Sequence, residues 1–451
     1  PNVDFEEDYT FYANRLRLGA GYKNKLVKLY GEYQLTSIWS LPDLPSFGTG
    51  ALYQAFNTGT ETHMSKWTVN ELYIKSKMPG LEALSLKVGR FSYNGGLETK
   101  PINPTIKWLK KFRISQRMIG TFDWSHTGRS YDGFQIAYDE PAYNVTLTAT
   151  HPTQGGFQMD QDQTINDIDL IAGVFTIKNS KELKNTDVRL FYYFYDDARD
   201  ADCVGTDATF TSLRCFGPVR PDNTVGIATF KANKGDVEIH SFGGDIIQTI
   251  PTGDYGIVDL LVWGVYQTGD WGDLDHDAFG VTGEVGYKFT KIPWTPWFRT
   301  GYFYSSGDDD PDDGDHNTFF QVLPTPRIYA RTPIYNLMNN QDVFFMMLLR
   351  PHKRVKIRSD FHKVWLAKSE DRWYAGAGAN HESNQFGYAA NPSRGEHDLA
   401  TLVDVSASYK VTDFLGLNMY YSHIWGDDVI EKTFNKEDDS DFFYAEVVIH
   451  F

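Results

Sequence analysis

Apolar and polar residues alternate with a period of two along most of the chain, and helical periodicity is nearly absent. In residues 143–150 apolar and small polar side chains occupy successive positions, and residues 279–289, 355–362 and 403–410 repeat the alternation. Because successive side chains of a strand point to opposite faces, each segment has one apolar and one polar face. The pattern predicts an all-β protein.

Seventeen segments of the chain carry this alternation and are predicted as strands. They are residues 9–22, 26–39, 67–77, 84–90, 130–139, 143–150, 166–177, 186–196, 224–245, 257–269, 277–289, 297–305, 341–351, 355–367, 397–411, 415–425 and 442–451. The longest apolar run, Val343–Leu349, has seven residues, whereas a membrane-spanning helix needs about 20. A soluble β-sandwich would show the same alternation as a membrane β-barrel. The lengths of the connections between the strands are therefore needed to distinguish these two classes.

Tight and long connections tend to alternate along the chain. Tight connections are residues 22–25, 78–81, 140–142, 352–354 and 412–414. Long polar connections are residues 40–66, 91–129, 151–165, 197–223, 306–340, 368–396 and 426–440. Outer-membrane barrels have short periplasmic turns and long extracellular loops, whereas a sandwich has no reason to sort its loops by end. We therefore predict that residues 1–451 form one transmembrane antiparallel up-and-down β-barrel with long extracellular loops.

The strand count and the end of the chain refine this prediction. Bacterial single-chain barrels have even strand numbers, so about 18 strands are expected, with a first strand that is truncated or lies upstream of Pro1. The chain ends on Phe451, and apolar residues occupy every second position back to Phe443. This ending resembles the assembly signal of outer-membrane barrels, which predicts the bacterial outer membrane as location. A strand that merely happens to end the protein is the alternative.

Composition excludes several other classes of protein. The chain has 43 Lys and Arg against 59 Asp and Glu, a net charge of −16, which argues against nucleic-acid binding because phosphate affinity comes from basic residues. Two cysteines are too few for a disulfide scaffold or a multi-thiolate zinc site. The aromatic content of 15% is high for a polar chain, and a barrel explains it through lipid-facing rings and interfacial girdles.

Short motifs spread over most of the chain resemble the alginate-export family of outer-membrane barrels. They are residues 14–19 (NRLRLG), 87–90 (KVGR), 128–134 (GRSYDGF), 304–311 (YSSGDDDP) with 319–320 (FF), 362–365 (HKVW) and 421–423 (YSH). The resemblance implies an 18-stranded barrel with a passive, substrate-conducting pore. It also implies basic side chains that line the pore and guide an anionic sugar polymer, without fixing alginate as the substrate.

Basic residues on the polar strand faces are therefore candidates for the pore lining. A lipid-facing Arg or Lys at the membrane midplane costs roughly 2–4 kcal/mol, so these side chains are expected to face the lumen. The candidates are Arg15, Arg17, Lys28, Lys87, Arg189, Arg299, Lys356 and Arg358 on strands, with Arg90, Arg113, Arg117 and Arg129 near a constriction. Arg90 shares the outward parity of Leu86 and Val88, which predicts a position beyond the membrane band or after a bulge. A ladder of Arg–carboxylate pairs that satisfies only itself is the alternative for any one residue.

The segment 307–315 contains six aspartates. Clusters of carboxylate oxygens bind Ca²⁺, and Asp308, Asp310 and Asp312 are the candidate ligands. The glycine spacing does not fit an EF-hand loop, so a solvated extracellular loop is the competing interpretation. Divalent cations that bridge the loop to lipopolysaccharide phosphates are a third.

Cys203 and Cys215 lie in one predicted extracellular loop, twelve positions apart. In an oxidising envelope they are expected to form a disulfide. A pair of free thiols is the alternative.

Sequence patterns of enzymes are weak in this chain. Residues 128–132 lack the second glycine of a nucleophile elbow, and His381-Glu382 lacks the second histidine of a zincin motif. We therefore predict an outer-membrane channel without enzymatic activity that passes anionic or sugar-like solutes through a basic lumen. Lipid and lipopolysaccharide are expected partners, and an envelope or surface-complex protein is a possible one. The alternatives are a structural barrel scaffold in such a complex and a secreted soluble glycan-binding protein.

Overall fold

The computed structural model of the chain describes residues 8–43, 48–57, 62–199, 236–310, 313–325, 332, 334–374, 380–382, 384–385, 390–434 and 438–451. These residues form one 18-stranded sheet, two small two-stranded sheets and a few short helices. None of the helices in the described ranges is long and apolar enough to cross a membrane.

Seventeen strands of the large sheet have nine to sixteen residues. They are β1 (Tyr12–Lys23), β2 (Val27–Trp39), β3 (His63–Met78), β4 (Leu81–Phe91), β5 (Tyr131–Asp139), β6 (Tyr143–Pro152), β7 (Ile168–Ile177), β8 (Thr186–Asp197), β9 (Val237–Pro251), β10 (Gly256–Trp271), β11 (Leu274–Phe289), β12 (Trp297–Ser305), β14 (Asn340–His352), β15 (Val355–Leu366), β20 (Asp398–Lys410), β21 (Leu415–Gly426) and β22 (Asp439–Ile449). The two-residue strands are β13 (Asp315–His316), β16 (Arg372–Trp373), β17 (Asn380–His381), β18 (Asn384–Gln385) and β19 (Asn391–Pro392). The helices are α1 (Thr49–Phe56), α2 (Pro104–Leu109), a π-helix (Lys110–Ile114) and α3 (Asp428–Thr433).

Each long strand pairs antiparallel with the next long strand in sequence, from β1 to β22. The meander confirms the predicted architecture, and the seventeen predicted strands correspond one to one with the long strands. The largest difference is at β9, because the predicted segment 224–245 is replaced by Val237–Pro251 and residues 224–235 lie outside the described ranges.

The eighteenth strand of the sheet is β13, which pairs parallel with β11 through two residues. It is therefore a loop segment and not the first strand that the sequence predicted. In an antiparallel meander of seventeen long strands, the first and the last run in the same direction. A further strand upstream of Pro1 stays a prediction.

Long connections leave one end of the barrel and short ones leave the other. At the short-turn end, the links are residues 24–26, 79–80, 140–142, 178–185, 252–255, 290–296, 353–354 and 411–414. Seven of the eight links at the opposite end have more than ten residues, among them residues 198–236, whereas residues 272–273 connect β10 to β11 by a tight turn. In outer-membrane barrels the short turns are periplasmic, so the long-loop end is extracellular.

The two faces of the barrel wall differ in exposure. On β10, Val262 is 56% exposed on the outer face, whereas its neighbours Leu261 and Trp263 are 0% and 1% exposed on the inner face. At the end of the chain, Phe443 and Ile449 are both 60% exposed, as the terminal pattern predicted. This apolar outer band is what a bilayer requires of the strands that it surrounds.

The main hydrophobic core lies inside the barrel, next to strands β7–β14. Apolar side chains on the inner face of these strands pack against apolar side chains from two connections, residues 92–130 and 306–339. Members of this core include Ile106, Leu109, Ile119, Phe319, Phe320, Leu323, Ile239, Leu261, Trp263 and Phe344. One side of the lumen is therefore filled, and the polar inner faces of β1–β5 and β20–β22 border the remainder.

Five acidic side chains form a continuous row across β7–β11 at the extracellular end. Asp169, Asp196, Glu238, Asp270 and Asp275 are direct cross-strand partners in that order. All five have the parity of the outer face and are exposed or half-buried. Like charges that lie directly opposite each other destabilise a sheet, so this row weakens the barrel rim.

We predict opposite effects on stability for two substitutions of the same kind on β8. Asp196→Asn relieves repulsion in the acidic row and is expected to raise the stability of the barrel by about 0.2–1 kcal/mol. Asp187→Asn leaves the buried Lys110, whose Nζ lies 2.8 Å from Asp187 Oδ1, without its counter-charge and is expected to lower stability by about 3–5 kcal/mol. The temperature at which the heat-modifiable gel band unfolds measures both, and a shift in the same direction for both variants would contradict the prediction.

Candidate functional site

Residues 92–130, here called the inserted loop, leave β4 at the extracellular end and fold through the lumen to the short-turn end. The backbone N–H of Asn103 donates to Asn179 Oδ1 (2.8 Å), and its side-chain amide donates to Thr249 Oγ1 (3.0 Å). Asn179 belongs to the short connection after β7, and Thr249 lies near the periplasmic end of β9. The segment was predicted as an extracellular loop, and the structure shows instead that it folds inward.

Local sequence explains why the tip of the inserted loop turns into a helix. Asn103 caps α2, because its side-chain oxygen accepts hydrogen bonds from the backbone N–H groups of Thr105 (2.9 Å) and Ile106 (3.3 Å). Pro104 follows the cap at the first helical position, where no N–H is needed. Ile106 and Leu109 are then fully buried, which fastens one face of the helix to the core.

Further contacts of the tip lie at the same end of the barrel. Lys110 Nζ donates to Asp187 Oδ1 (2.8 Å), near the start of β8. The ring of Trp108 packs on Trp297, the first residue of β12, with 4.6 Å between centroids. The tip is thus attached at several points around the periplasmic side of the wall.

A buried arginine cluster surrounds Glu284 on β11. The carboxylate lies 2.9 Å from Arg113 Nε, 3.3 Å from Arg117 Nη2 and 2.8 Å from Arg299 Nη2. Arg299 also pairs with the buried Asp259. Since all these side chains are at most 1% exposed, the three predicted pore-lining arginines bind protein carboxylates in the closed part of the lumen.

Two other predicted arginines on the strands also have carboxylate partners. Arg189 Nε lies 2.8 Å from the buried Asp245 Oδ2. Arg358 donates to both oxygens of Asp360, at 2.6 and 2.8 Å. These two arginines therefore fit the alternative given in the sequence analysis, in which arginines and carboxylates of the wall pair with one another.

Arg129, in the inserted loop, contacts two other extracellular connections, residues 306–339 and 367–397. Its guanidinium donates to the carbonyl oxygens of Gly120 (3.0 Å), Leu323 (2.9 Å) and Pro324 (3.1 Å) and to Asn380 Oδ1 (3.0 Å). The side chain is 1% exposed. Its contacts are those of a residue that holds loops together.

Arg15 and Arg17 on β1 attach the second limb of the inserted loop. Arg15 Nη1 donates to the backbone oxygen of Asp123 (3.0 Å), and Arg17 Nη2 donates to Asp123 Oδ1 (2.6 Å). Their side chains are 25% and 28% exposed. Two cations share this one aspartate, and Glu32 lies 3.5 Å from Arg17 Nε.

Arg90 and Lys356 complete the predicted set. Arg90 donates to both carboxylate oxygens of Asp132 (2.8 and 2.6 Å) at the extracellular end of β4. It has the outward parity of Val88, which is 42% exposed, so its position follows the expected parity and is not the predicted one in the pore lining near a constriction. Lys356 is exposed on β15 near the short-turn end.

Four lysines form a second row, here called the lysine ladder. Lys23, Lys28, Lys75 and Lys87 are direct cross-strand partners on β1, β2, β3 and β4. They have inner-face parity, because the alternate residues of these strands form the exposed apolar outer band. Within the described ranges, none of the four ammonium groups has a carboxylate ion-pair partner.

Aromatic rings hold the ladder in place. Lys28 Nζ donates to the Tyr73 hydroxyl (2.5 Å) and lies 4.9 Å from the centroid of Tyr30. Lys87 Nζ lies 4.5 Å from the centroid of Tyr73 and 4.0 Å from that of Phe91. Cation–π contacts position an ammonium group without neutralising it. Because Lys28, Lys75 and Lys87 are half-buried and Lys23 is exposed, the ladder presents to the lumen four ammonium groups that are not tied up in ion pairs with the described carboxylates.

The aspartate-rich segment holds no metal-binding group in the described part of the chain. Asp308 accepts hydrogen bonds from the backbone N–H groups of Asp310 (3.1 Å) and Asn317 (3.3 Å). The described residues contain no group of three or more His, Cys, Asp or Glu that could bind a metal ion. Asp312 lies outside these residues, as do Cys203 and Cys215, so the Ca²⁺ site and the disulfide stay predictions.

Asp308 and Asp371 instead form a buried carboxylate pair between two extracellular connections. The backbone N–H of Asp308 donates to Asp371 Oδ2 (3.1 Å), which also accepts from Thr318 Oγ1 (2.6 Å). Burial, and secondarily the neighbouring Asp371 charge, raises the pKa of Asp308 to about 7. Burial likewise raises the pKa of Asp371 to about 6.

The antiparallel meander with its loops sorted by end, the apolar outer band and a lumen narrowed by an inserted loop together define an outer-membrane channel of the porin class. The sequence profile described as "Alginate export" matches residues 52–442. The chain therefore belongs to the alginate export family, and its location is the bacterial outer membrane. There it contacts lipid and lipopolysaccharide. No curated protein sequence matches the chain.

Solved outer-membrane channels share this fold at low sequence identity. OpdK of Pseudomonas aeruginosa is 9% identical, with a TM-score of 0.55 over 99% of this chain and 94% of that one. OccAB1 of Acinetobacter baumannii is 9% identical, with a TM-score of 0.56 over 99% and 92%. A BenF-like porin of Pseudomonas fluorescens Pf-5 is 10% identical, with a TM-score of 0.54 over 98% and 92%. The family and these folds are those of channels and not of enzymes.

We predict that Glu284→Gln destabilises the inserted loop and the barrel together. The change is nearly isosteric but leaves Arg113, Arg117 and Arg299 short of a counter-charge, which is expected to lower stability by about 3–5 kcal/mol. The unfolding temperature of the heat-modifiable band measures the effect, and Glu82→Gln at an exposed position of β4 is the control. Equal unfolding temperatures for the two variants would show that the cluster does not hold the loop.

The carboxylate pair predicts a pH dependence of residues 313–323. Because the pKa of folded Asp308 exceeds its ordinary value of 3.8, the folded segment binds the proton more tightly than the unfolded one. Its contribution to stability is therefore greatest in acid and is lost as the pH rises from 3.8 to about 7. Hydrogen exchange, corrected for its intrinsic pH dependence, is expected to show this loss in the parent and a smaller one in Asp308→Asn. An identical pH dependence in both proteins would refute the assignment.

Proposed function

We propose that the protein passes anionic, sugar-like solutes along the side of the lumen that is bordered by β1–β5. The lysine ladder is the single observation that carries this proposal. It places four positive charges side by side on the inner wall, and no carboxylate in the described ranges is paired with them. Fixed charge of this kind replaces part of the hydration that an anion loses on entering a narrow channel.

The predicted arginines support the proposal less directly. Arg113, Arg117 and Arg299 are buried against carboxylates, so a solute does not meet their charge. Arg15 and Arg17 are partly exposed above the ladder, but Asp123 and Glu32 lie within ion-pair distance of them, so they add little net charge. Basic side chains thus continue along β1 from the short-turn end toward the extracellular end.

Two tyrosines give the ladder a second property that suits a sugar. The rings of Tyr30 and Tyr73 lie 5.8 Å apart between the lysines, and both side chains are half-buried on the inner face. A tyrosine ring combines a flat apolar surface with a polar hydroxyl. Such a surface matches the carbon face of a sugar ring, while the neighbouring ammonium groups match its carboxylates.

A structural scaffold is the second candidate, and the filled side of the lumen favours it. The core beside β7–β14 blocks that part of the interior, as a barrel without a transport role would tolerate. A scaffold predicts no conductance, whereas the proposed channel conducts and prefers anions. The soluble glycan-binding alternative is excluded by the outer-membrane location.

We predict that Lys28→Gln with Lys87→Gln reduces anion selectivity in planar bilayers. One unit charge about 4 Å from an ion in water contributes about 1 kcal/mol, so each lysine removed is expected to weaken anion occupancy by about fivefold. The reversal potential under a salt gradient is expected to move toward that of an unselective pore. Lys353→Gln, which removes an exposed charge from a short turn, is the matched control. Cation selectivity of the parent, or no conductance, would overturn the proposal.

A further inference from the structure

We propose that the tip of the inserted loop is a capture site for polyanions at the periplasmic mouth of the lumen. Three exposed lysines form this site, Lys100, Lys107 and Lys111. The inference rests on the proposed anion channel and adds the side from which a polyanion enters it.

The position of the tip is fixed by contacts at one end of the barrel. Asn103 binds Thr249 near the end of β9, Lys110 binds Asp187 near the start of β8, and Trp108 packs on Trp297 at the start of β12. Those three wall positions border short connections, which are periplasmic in outer-membrane barrels. The lysines of the tip are therefore presented at the periplasmic mouth, although the loop itself starts from the extracellular end.

The helix at the tip has one buried face and one basic face. Ile106, Leu109 and Lys110 are fully buried, whereas Lys107 and Lys111 are exposed. Residues four positions apart are neighbours on a helix surface, so these two like charges repel and destabilise the helix. Its first turn also contains no acidic residue that would offset them. Several wall contacts hold the helix despite this repulsion, and a concentrated positive surface results.

The capture site is continuous with the lysine ladder. Lys100 lies close enough to Lys75 for their charges to interact, so basic side chains on the loop and on the wall flank the same space. A polyanion bound at the tip can therefore exchange one ammonium group for the next as it moves inward. The polyanion therefore has an entry site at the tip of the inserted loop and, next to it, a path along the lysine ladder.

The two mouths of the barrel differ in charge, because the short-turn links contain seven basic residues against the four acidic residues Glu140, Glu182, Asp254 and Asp413. The short turns carry further exposed basic residues, such as Lys25, Lys181 and Arg354. The extracellular rim carries the acidic row from Asp169 to Asp275. Charge of one sign at a mouth raises the local concentration and the association rate of ions of the other sign. Polyanions are thus expected to enter from the periplasmic side much faster than from the outside.

Single-channel block by oligogalacturonate, added to one side of a planar bilayer at a time, tests the inference. An epitope inserted after Ile292, in a short turn, identifies the periplasmic face of each channel through its antibody. The parent is expected to be blocked at least fivefold faster from the periplasmic side. In the triple variant Lys100→Gln, Lys107→Gln, Lys111→Gln the periplasmic rate is expected to fall toward the extracellular rate, which itself stays unchanged.

A second triple variant distinguishes binding at the tip of the inserted loop from a general electrostatic effect of the periplasmic mouth. Lys25→Gln, Lys181→Gln and Lys353→Gln remove the same charge from exposed short turns and are expected to retain most of the side preference. Equal block from both sides in the parent, or an equal loss in both triple variants, would overturn the capture site. Failure of the underlying channel proposal is recognised separately, as cation selectivity or absent conductance of the parent before any oligogalacturonate is added. Heat-modifiable gel mobility verifies that each variant is folded.

Discussion

The rest of the lumen depends on one buried interaction, that of Glu284 with Arg113, Arg117 and Arg299. A carboxylate removed from water is stable only beside opposite charge and hydrogen-bond donors. Two of the three arginines belong to the inserted loop and one to the wall. The ion cluster therefore holds the loop inside the barrel, where its apolar residues complete the core beside β7–β14. What remains open is the polar side near β1–β5.

The chemistry of the two basic side chains matches this division of the lumen. Arginine has a planar guanidinium that binds carboxylates through two parallel hydrogen bonds and is weakly hydrated, which suits permanent buried pairs such as Arg358 with Asp360. Lysine is a compact, strongly hydrated charge on a flexible stem. Lys28 and Lys87 rest on aromatic rings instead of carboxylates, so their charge stays available to a passing solute. Most of the predicted arginines are thus held in ion pairs with carboxylates, whereas the four lysines of the ladder border the wet part of the lumen.

The sequence predicted the strands well because a strand is encoded locally, as alternation of neighbouring residues. The lysine ladder was recognised only in part, as Lys28 and Lys87, because its members stand at unrelated spacings in the chain and meet through strand register. The path of the inserted loop could not be predicted either. It depends on distant pairs such as Lys110 with Asp187, and parity rules apply to strands and not to loops. Arg90 shows the opposite case, since its parity alone placed it on the outer face.

The net charge of −16 does not oppose anion passage, because its effect depends on distance. The acidic row lies near the extracellular end of β7–β11, and the lysine ladder lies toward the short-turn end of β1–β4. About ten residues of strand separate the two levels, or roughly 30 Å at 3.3 Å per residue. The Debye length in physiological salt is about 8 Å, so the ladder is screened from the rim. A solute inside the lumen therefore responds to the lysines beside it, and the acidic rim acts only on what approaches that mouth.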